Sequence, residues 1–246
     1  MIININKEDI CNLSRLPVKM EENPCHLTAL QLWRWGSNPT TRLKDCLSCE
    51  ETLLFQHYMS YNPKSLYDMY GVVEKLKSYS VKTPFLPWIH SYPASSHSDI
   101  AFIYRDLPFI ERQCKMIASL VSSFLKNGYR PEDFGRRENK NEDWPWPIDW
   151  RTKGHIAGYF LSSKDKKKFY VTAGNHRAAV FSALFSNQKI PVVYEKKEFM
   201  KPQYAAQKRV FLEEYSLEEV NEWPSVKSGF LSGKEATMIT EVYLNG

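Results

Sequence analysis

The residues best suited to chemistry in this sequence are Gly174-Asn175-His176-Arg177, which lie between a predicted strand and a predicted helix. A glycine at a strand end permits a sharp turn, and the start of the next helix presents free N–H groups and the positive end of its dipole. Arg177 can direct two N–H donors at phosphate oxygens, and His176 can donate, accept or transfer a proton near neutral pH. This combination favours phosphate recognition. A structural alternative, in which Arg177 pairs with a local carboxylate and His176 caps the sheet edge, stays open.

The elements on either side of this motif are predicted from their residue patterns. Residues 156–161 and 169–172 are short β-prone runs joined by the polar link 162–166, which predicts a hairpin. A helix is expected over 176–185, because its alanine and serine side chains are small enough to pack closely on a sheet. Residues 190–194 predict a further strand. The motif is therefore expected at a strand–turn–helix junction.

The clearest helix precedes this unit. Apolar residues recur at helical spacing from Ile110 to Leu125, with Asp106 as the expected cap and Asn127-Gly128 as the stop. Glu111 lies off this apolar stripe, near the N-terminal end. Residues 130–150 are charged and then rich in Trp and Pro, so we expect a long surface loop. This loop contains Trp144, Trp146 and Trp150. These side chains either stack on a sugar or base or form a lid packed on the body of the domain.

The two ends of the chain carry weaker signals. Residues 1–95 have scattered Pro and aromatic residues and predict an irregular segment, apart from a helix starting at Asn62-Pro63. Ser216 and Ser232 are each followed three residues later by Glu, which predicts two capped helices. The expected fold class is α+β, with a small mixed β-sheet and helices over 96–246 as one domain and 1–95 as an irregular or helical N-terminal extension.

Composition excludes several classes of protein. The 246 residues are 43% hydrophobic and 25% charged, which is typical of a globular chain and not of a disordered one. No apolar run approaches the roughly 18 residues that cross a bilayer, and residues 1–13 lack the apolar core of a signal peptide. A soluble, cytoplasmic protein is therefore expected. The net charge of +5 is mild. Two groups of lysines, within 164–168 and 196–201, are interpreted as solvated surface, and a nucleic-acid-binding surface stays an alternative for them.

The five cysteines form an odd, sparse set that differs from a secreted disulfide scaffold. Cys46 and Cys49 have the CxxC spacing that can supply half of a zinc site. The second half would have to come from Cys25 and His26, which are adjacent and so not at ligand spacing. No thioredoxin-like pattern surrounds the CxxC pair. The cysteines are therefore predicted to be ordinary reduced thiols.

The segment around the motif resembles the G-x-H-R signature of the ParB/sulfiredoxin superfamily, in which a strand, the motif, a helix with small residues and an IPV strand follow in this order. The residues that carry the resemblance are Phe169–Val180, Ala183-Leu184 and Ile190-Pro191-Val192. A wider match, over about residues 98–245, is similar to ParB-like proteins encoded among bacterial surface-polysaccharide genes. Its further pieces are Lys126-Asn127-Gly128-Tyr129, Gly158-Tyr159-Phe160-Leu161 and Glu222-Trp223-Pro224-Ser225-Val226 with Ser228-Gly229.

This resemblance implies a nucleotide pocket, because the superfamily includes CTP-dependent partition proteins, ATP-using sulfiredoxins and free-serine kinases. The positions carried over as nucleotide-binding are Gly174, Asn175, His176 and Arg177. Asn175 stands where sulfiredoxins have their catalytic cysteine, which argues against sulfinic-acid reduction. The region from Tyr204 onward offers only short predicted helices, which argues against sequence-specific DNA binding.

A kinase of this type would need Mg²⁺ ligands, a base and acceptor contacts. Glu111 is the candidate base or metal ligand, although an acid near a helix start is also simply favourable there. His176 is the second catalytic candidate, and Asp99 is the candidate metal ligand, with Asp106 and His97 nearby in sequence. The expected function is ATP-dependent (or other NTP-dependent) phosphoryl transfer to a small hydroxylated molecule or sugar intermediate in surface-polysaccharide synthesis. The alternatives are a non-catalytic nucleotide-binding switch or scaffold, and a nucleic-acid-binding ParB-like protein.

Overall fold

The computed structural model of the chain describes residues 1–11, 20–36, 48–60, 107–135, 152–195, 212–227, 229 and 232–245. Within these ranges the strands form a six-stranded mixed sheet with helices on both of its faces. The α+β class predicted from the sequence is therefore confirmed at this level. The helix predicted to start at Asn62-Pro63 and the lysines within 196–201 lie outside the described residues.

The sheet is built around a hairpin that the sequence predicted. Strands β3 (Ile156–Ser163) and β4 (Lys166–Ala173) pair antiparallel, and the polar link between them is reduced to two turn residues. Strand β5 (Ile190–Tyr194), which matches the predicted 190–194, lies parallel to β3. Strand β6 (Glu214–Ser216) also pairs parallel with β3, further along it.

The N-terminal segment completes the sheet with two strands, which the prediction of an irregular or helical extension over 1–95 did not include. Strand β1 (Ile2–Ile5) pairs antiparallel with β5, and β2 (Ile10–Cys11) pairs parallel with β4. These strands have four and two residues, which is too short to show an alternation of apolar and polar side chains. Their partner strands are also far away in sequence, so no local pattern predicts the pairing. Strands from both sides of the predicted boundary at 95/96 thus belong to one sheet, while the boundary itself lies outside the described residues.

The N-terminal segment also contains two helices whose positions were not predicted from the sequence. Helix α1 (Pro24–Gly36) begins after Asn23, whose side-chain oxygen accepts a hydrogen bond from the Cys25 N–H at 2.9 Å. This is a side-chain cap followed by proline in the first turn, the same signal that was recognised at residue 62. The Thr28 hydroxyl of α1 in turn accepts from the Leu54 N–H at 2.8 Å, at the start of helix α2 (Leu53–Ser60).

The long predicted helix is confirmed as α3 (Leu107–Asn127). Most of its apolar stripe is buried, although Leu125 is exposed, and Asp106 lies outside the described residues. Gly128 ends the helix with φ +72° and donates its N–H to the Phe124 carbonyl at 2.9 Å. The surface loop predicted over 130–150 begins instead with the short helix α4 (Pro131–Gly135), because Pro131 starts a turn rich in acidic residues.

Helix α5 (Asn175–Leu184) follows the motif and packs against both α1 and α3. Its alanines are buried, which allows the close packing expected from their size: Ala178, Ala179 and Ala183. Together these helices cover one face of the sheet, where Phe169 and Val171 of β4 join their core. On the opposite face Tyr170 packs edge-on against Tyr243, with ring centroids 5.1 Å apart.

The C-terminal region covers that opposite face. A 3-10 helix (Leu217–Glu222) and helix α6 (Pro224–Lys227) lead to helix α7 (Gly233–Asn245), which carries Tyr243. The predicted capping box at Ser232 is confirmed, since Glu235 N–H donates to Ser232 Oγ at 3.3 Å and Ser232 N–H donates to Glu235 Oε2 at 2.5 Å. At Ser216 the hydroxyl caps Glu218, not the predicted Glu219. No helix of the described residues is long and apolar enough to span a membrane.

Candidate functional site

The predicted phosphate-binding turn adopts the conformation that requires a glycine. Gly174 has φ +83° and ψ +24°, in the left-handed region, and precedes α5 as its N-terminal cap. Its carbonyl accepts the Ala178 N–H at 2.9 Å, so the helix is regular from its first turn. Because residue 174 has no side chain, it cannot cap the N–H groups of Asn175, His176 and Arg177. This end of α5 thus has the geometry with which helices bind anions.

Arg177 is held close to that turn by contacts within the protein. Its side chain belongs to the core, with only 7% of the residue exposed. Nη2 donates to the His155 carbonyl at 3.3 Å, and Cζ lies 5.7 Å from the centre of the Phe134 ring. Phe134 packs on Phe124 of α3, with ring centroids 5.8 Å apart. The guanidinium is therefore positioned by a backbone carbonyl and an aromatic ring, a contact set that neither sequence interpretation anticipated.

His155 belongs to a tight turn that sequence reasoning did not connect to the site. Its N–H donates to the Thr152 carbonyl at 3.0 Å, and the two central residues, Lys153 and Gly154, have φ +49° and +78°. Among the described residues Lys153 is the one non-glycine with positive φ. Such a conformation costs on the order of 1 kcal/mol and is concentrated at functional positions. Gly154, directly before a β-prone run, is the sequence signal that points to a turn here.

Positive charge collects around this turn. The pKa of His155 is held below its ordinary value first by burial and then by the charge of Arg177, with smaller contributions from Lys153 and the amino group of Met1. Glu132 acts in the opposite direction. Three cationic groups and one carboxylate thus act on the same imidazole. An anion bound beside it would be stabilised by that excess of positive charge.

His176 lies in the first turn of α5, as expected, and Asn175, predicted to precede the helix, is its first residue. His176 Nε2 and Asn175 Oδ1 are both buried atoms, although each residue as a whole is partly exposed. Among the described residues Asn175 Oδ1 has no hydrogen-bond partner. The structure therefore brings together four predicted positions, Gly174 to Arg177, and adds His155 and Lys153 to them.

Glu111 lies elsewhere. It is on the exposed side of α3, 3.9 Å from Lys115 in an i,i+4 ion pair, and its charge acts on the thiols of Cys49 and Cys114. Thirteen residues separate it from Phe124, the part of α3 that packs on Phe134, which corresponds to about 20 Å along a helix. The described contacts of Glu111 are thus near the N-terminal end of α3, away from the arginine of the motif.

The predicted metal ligand is not among the residues that the structure describes. Asp99 lies outside the described residues, as do Asp106, His97 and the three tryptophans of the 136–151 segment. In the ranges that the structure describes, no group of three or more His, Cys, Asp or Glu side chains is arranged to hold a metal ion.

The hairpin lysines bind other parts of the same chain. Lys167 pairs with Glu214 of β6 and lies over the Phe160 ring, 4.5 Å from its centre. Lys166 donates to the Asn245 side chain, and Lys168 donates to the Glu8 carbonyl. Three lysines of the hairpin thus connect it to β6, to α7 and to the N-terminal segment, contacts that the sequence did not predict.

Comparisons with known proteins do not assign the chain to a family. No family model, no curated protein and no solved structure matches this chain.

Proposed function

We propose that the chain binds the phosphate groups of a nucleotide, ATP or another NTP, at the turn formed by Gly174–Arg177. The observation that carries the proposal is the left-handed Gly174 at the start of α5 with Lys153 and His155 beside it. Backbone N–H groups at a helix start and a cationic side chain are the two elements of an anion site. The resemblance to the ParB/sulfiredoxin superfamily supports the same residues independently of this geometry.

The activity we propose for this site is phosphoryl transfer to a small hydroxylated molecule or a sugar intermediate of surface-polysaccharide synthesis. It rests on the resemblance. Such transfer depends mainly on positioning and on Mg²⁺ beside the phosphates. His176 is the residue at the site suited to move a proton, and Asp99 stays the proposed metal ligand. Glu111, with its contacts near the far end of α3, is the weaker catalytic candidate.

Phosphate binding is tested by calorimetric titration with ATP, ADP, AMP and pyrophosphate, each with and without Mg²⁺. Lys153→Asn removes one positive charge, and asparagine tolerates the left-handed conformation that residue 153 adopts. The matched control is Lys189→Asn, which removes the same charge from an exposed position just before β5, beyond the opposite end of α5. We expect Lys153→Asn to weaken ATP and pyrophosphate binding by about 5- to 10-fold, roughly 1 kcal/mol, and the control to leave it unchanged.

Two results would overturn the binding proposal. One is the absence of binding by all four ligands at millimolar concentration. The other is equal weakening in Lys153→Asn and Lys189→Asn, which would reduce the effect to the net charge of the protein.

Turnover is tested separately by following ADP release from ATP and Mg²⁺ in the presence of hydroxylated amino acids, polyols and sugars. Acceptor-dependent ADP release supports the phosphotransferase. Tight binding with no release across the panel would leave a nucleotide-binding switch or scaffold, the alternative that the fold also accommodates.

A further inference from the structure

Two cysteines meet at the end of α3 that lies away from the proposed phosphate site. Cys114 is on α3 and is buried, at 6% exposure, whereas Cys49 is the first residue of a 3-10 helix (Cys49–Glu51) and is partly exposed. They are 65 residues apart in sequence, yet the Cys114 Sγ lies 4.0 Å from the Cys49 carbonyl oxygen. Each thiol also shifts the pKa of the other, as side chains in close proximity do. This is a thiol pair and not an isolated cysteine.

Thr52 fixes the arrangement. Its hydroxyl donates to the Cys49 carbonyl at 2.7 Å and lies 3.3 Å from the Cys114 Sγ. The same oxygen accepts the Phe55 N–H at 3.1 Å at the start of α2. One buried side chain thus joins the backbone of Cys49 to the sulfur of Cys114, so packing of α2 on α3 holds Cys114 beside residue 49.

We propose that Cys49 and Cys114 form a reversible disulfide when the protein meets a low-molecular-weight disulfide. The Cys114 sulfur already lies 4.0 Å from the Cys49 carbonyl oxygen, so a rotation of the partly exposed Cys49 side chain can bring the two sulfurs toward the bond length of about 2.05 Å. Cys49 is the more exposed of the two, so it is the cysteine that the oxidant can reach. Cys114 is the partner that completes the bond. The proposal does not depend on the function proposed above.

The two cysteines have different roles: Cys49 attacks the oxidant, and Cys114 then attacks Cys49. The pKa of Cys114 is lowered first by its hydrogen bond with Cys49 and then, against burial, by Thr52, whereas the pKa of Cys49 is raised by the same hydrogen bond and by burial. With Cys114 as a thiolate, the Cys49 proton passes to Cys114 as Cys49 attacks the oxidant. The first low-molecular-weight thiolate then leaves, and a mixed disulfide stands on Cys49.

Cys114 completes the exchange. It first gives the proton it received to the departed low-molecular-weight thiolate, then attacks the Cys49 Sγ as a thiolate. The second low-molecular-weight thiolate leaves and takes up a proton from water, and a Cys49–Cys114 bond forms. The two protein thiols lose two electrons and two protons, and these appear as two molecules of reduced low-molecular-weight thiol. No other reactant is required.

Three other cysteines provide internal comparisons. Cys11 and Cys25 are both buried, with 3% and 0% exposure, and burial raises the pKa of Cys11. We expect neither to react. Cys46 is three residues before Cys49 in sequence and is therefore the competing partner for it.

The test incubates the full chain with mixtures of reduced and oxidised glutathione, followed by acid quenching, alkylation of free thiols and non-reducing peptide mass spectrometry. We expect a peptide pair cross-linked through Cys49 and Cys114, reversible by reduced glutathione and unchanged in Cys46→Ser. In Cys114→Ser the cross-link must disappear and a glutathione mixed disulfide should accumulate on Cys49. Thr52→Val, which removes the hydroxyl beside Cys114, should slow cross-linking by about 2- to 5-fold at pH 7.

A Cys46–Cys49 cross-link in the wild-type chain would overturn the proposal, and so would a mixed disulfide on Cys49 that never resolves or the absence of any oxidation. Because the wild-type chain decides these outcomes, a variant that fails to fold does not affect the result. A thermal melt gives a second readout, since a bond that closes a 65-residue loop should raise the Tm of the oxidised protein by at least about 5 °C.

Discussion

The guanidinium group of Arg177 lies against Gly174 so closely that a Cβ on residue 174 would be 2.9 Å from Nη2 and 3.0 Å from Nε. Real Cβ atoms almost never show contacts under 3.0 Å, so one of the two groups would have to move. The glycine of the motif is thus required twice, once for its positive φ and once for the space that Arg177 occupies. Gly174 and Arg177 are therefore one structural unit in this chain.

Gly174→Ala should be more destabilising than its backbone conformation alone predicts. Gly128 is the matched control, because it also has positive φ, +72°, but a Cβ there would meet nothing within 4 Å. We expect Gly128→Ala to lower the free energy of unfolding by about 1 kcal/mol, the cost of the left-handed conformation, and Gly174→Ala to lower it by about 2–3 kcal/mol. Urea denaturation measures both. Equal losses would mean that Arg177 moves aside without cost.

The sequence predicts local features of this fold well and distant ones poorly. The hairpin, α5 and β5 were predictable because each is encoded by a continuous pattern of residues. Strand β1 was not, because Ile2–Ile5 is stabilised by pairing with residues almost 190 positions away, and no local pattern encodes that pairing. The four motif residues are contiguous and were found together.

The rest of the candidate site depends on contacts across the chain. His155 joins it only because the Arg177 side chain reaches back to its carbonyl, and Phe134 only because α4 packs beside α3. The cysteines are a second example. Their sequence spacing pairs Cys46 with Cys49, whereas the thiol that acts on Cys49 in the structure is that of Cys114. Spacing reports neighbours in sequence, and these contacts are set by packing.

Stability should fall as the pH drops below about 6.5. Burial is the first cause of a lowered pKa for His26, His57 and His155, so each binds a proton less readily in the folded chain than in the unfolded chain. Where the unfolded state binds more protons, stability rises with pH. The free energy of unfolding should therefore be steady above pH 7 and decline from pH 6.5 toward 5. Urea midpoints measured across this range test it.

His26 allows that decline to be assigned. It is 4% exposed, and the charges acting on it, Glu21 and Lys7, form an ion pair at 3.3 Å. His26→Gln removes the titrating group, so the slope between pH 5 and 6.5 should be shallower by as much as about 1.4 kcal/mol per pH unit, with parallel curves above pH 7. An unchanged slope would contradict the assignment.

A second, separate decline is expected in acid. Backbone hydrogen bonding and Lys7 lower the pKa of Glu21, and Lys167 lowers the pKa of Glu214 against burial. A carboxylate with a depressed pKa contributes stability that is present above its ordinary value of 4.5 and is lost as the pH falls through the folded value. A pH titration of the urea midpoint should therefore show a further loss below about pH 4.5. In Glu214→Gln that acid loss should be smaller while the histidine region is unchanged.

Lys167 should contribute to stability and not to nucleic-acid binding. Its partners are Glu214 and the Phe160 ring, but both charged side chains are close to half exposed, so solvent screens the pair. We expect Lys167→Met to lower the free energy of unfolding by about 0.5–1 kcal/mol, with less loss in 0.5 M salt. A double-mutant cycle with Glu214→Gln measures the coupling, and the more exposed Lys115–Glu111 pair is the control. Unchanged stability combined with weaker, salt-dependent binding to duplex DNA would instead assign these lysines to a nucleic-acid surface.

Arg177 should serve both the fold and the ligand, and the two roles can be measured apart. Its hydrogen bond to the His155 carbonyl and its contact with Phe134 exist within the protein itself, so Arg177→Lys should lower the free energy of unfolding by about 1–2 kcal/mol without any ligand. A lysine keeps the charge but loses the planar fork, so ATP affinity, measured at a temperature where both proteins are folded, should also fall, by about 10-fold. Loss of stability with unchanged affinity would confine Arg177 to the structural role and leave phosphate binding to the helix start and Lys153. Loss of affinity with unchanged stability would contradict the contacts to His155 and Phe134, because their removal must cost the folded state something.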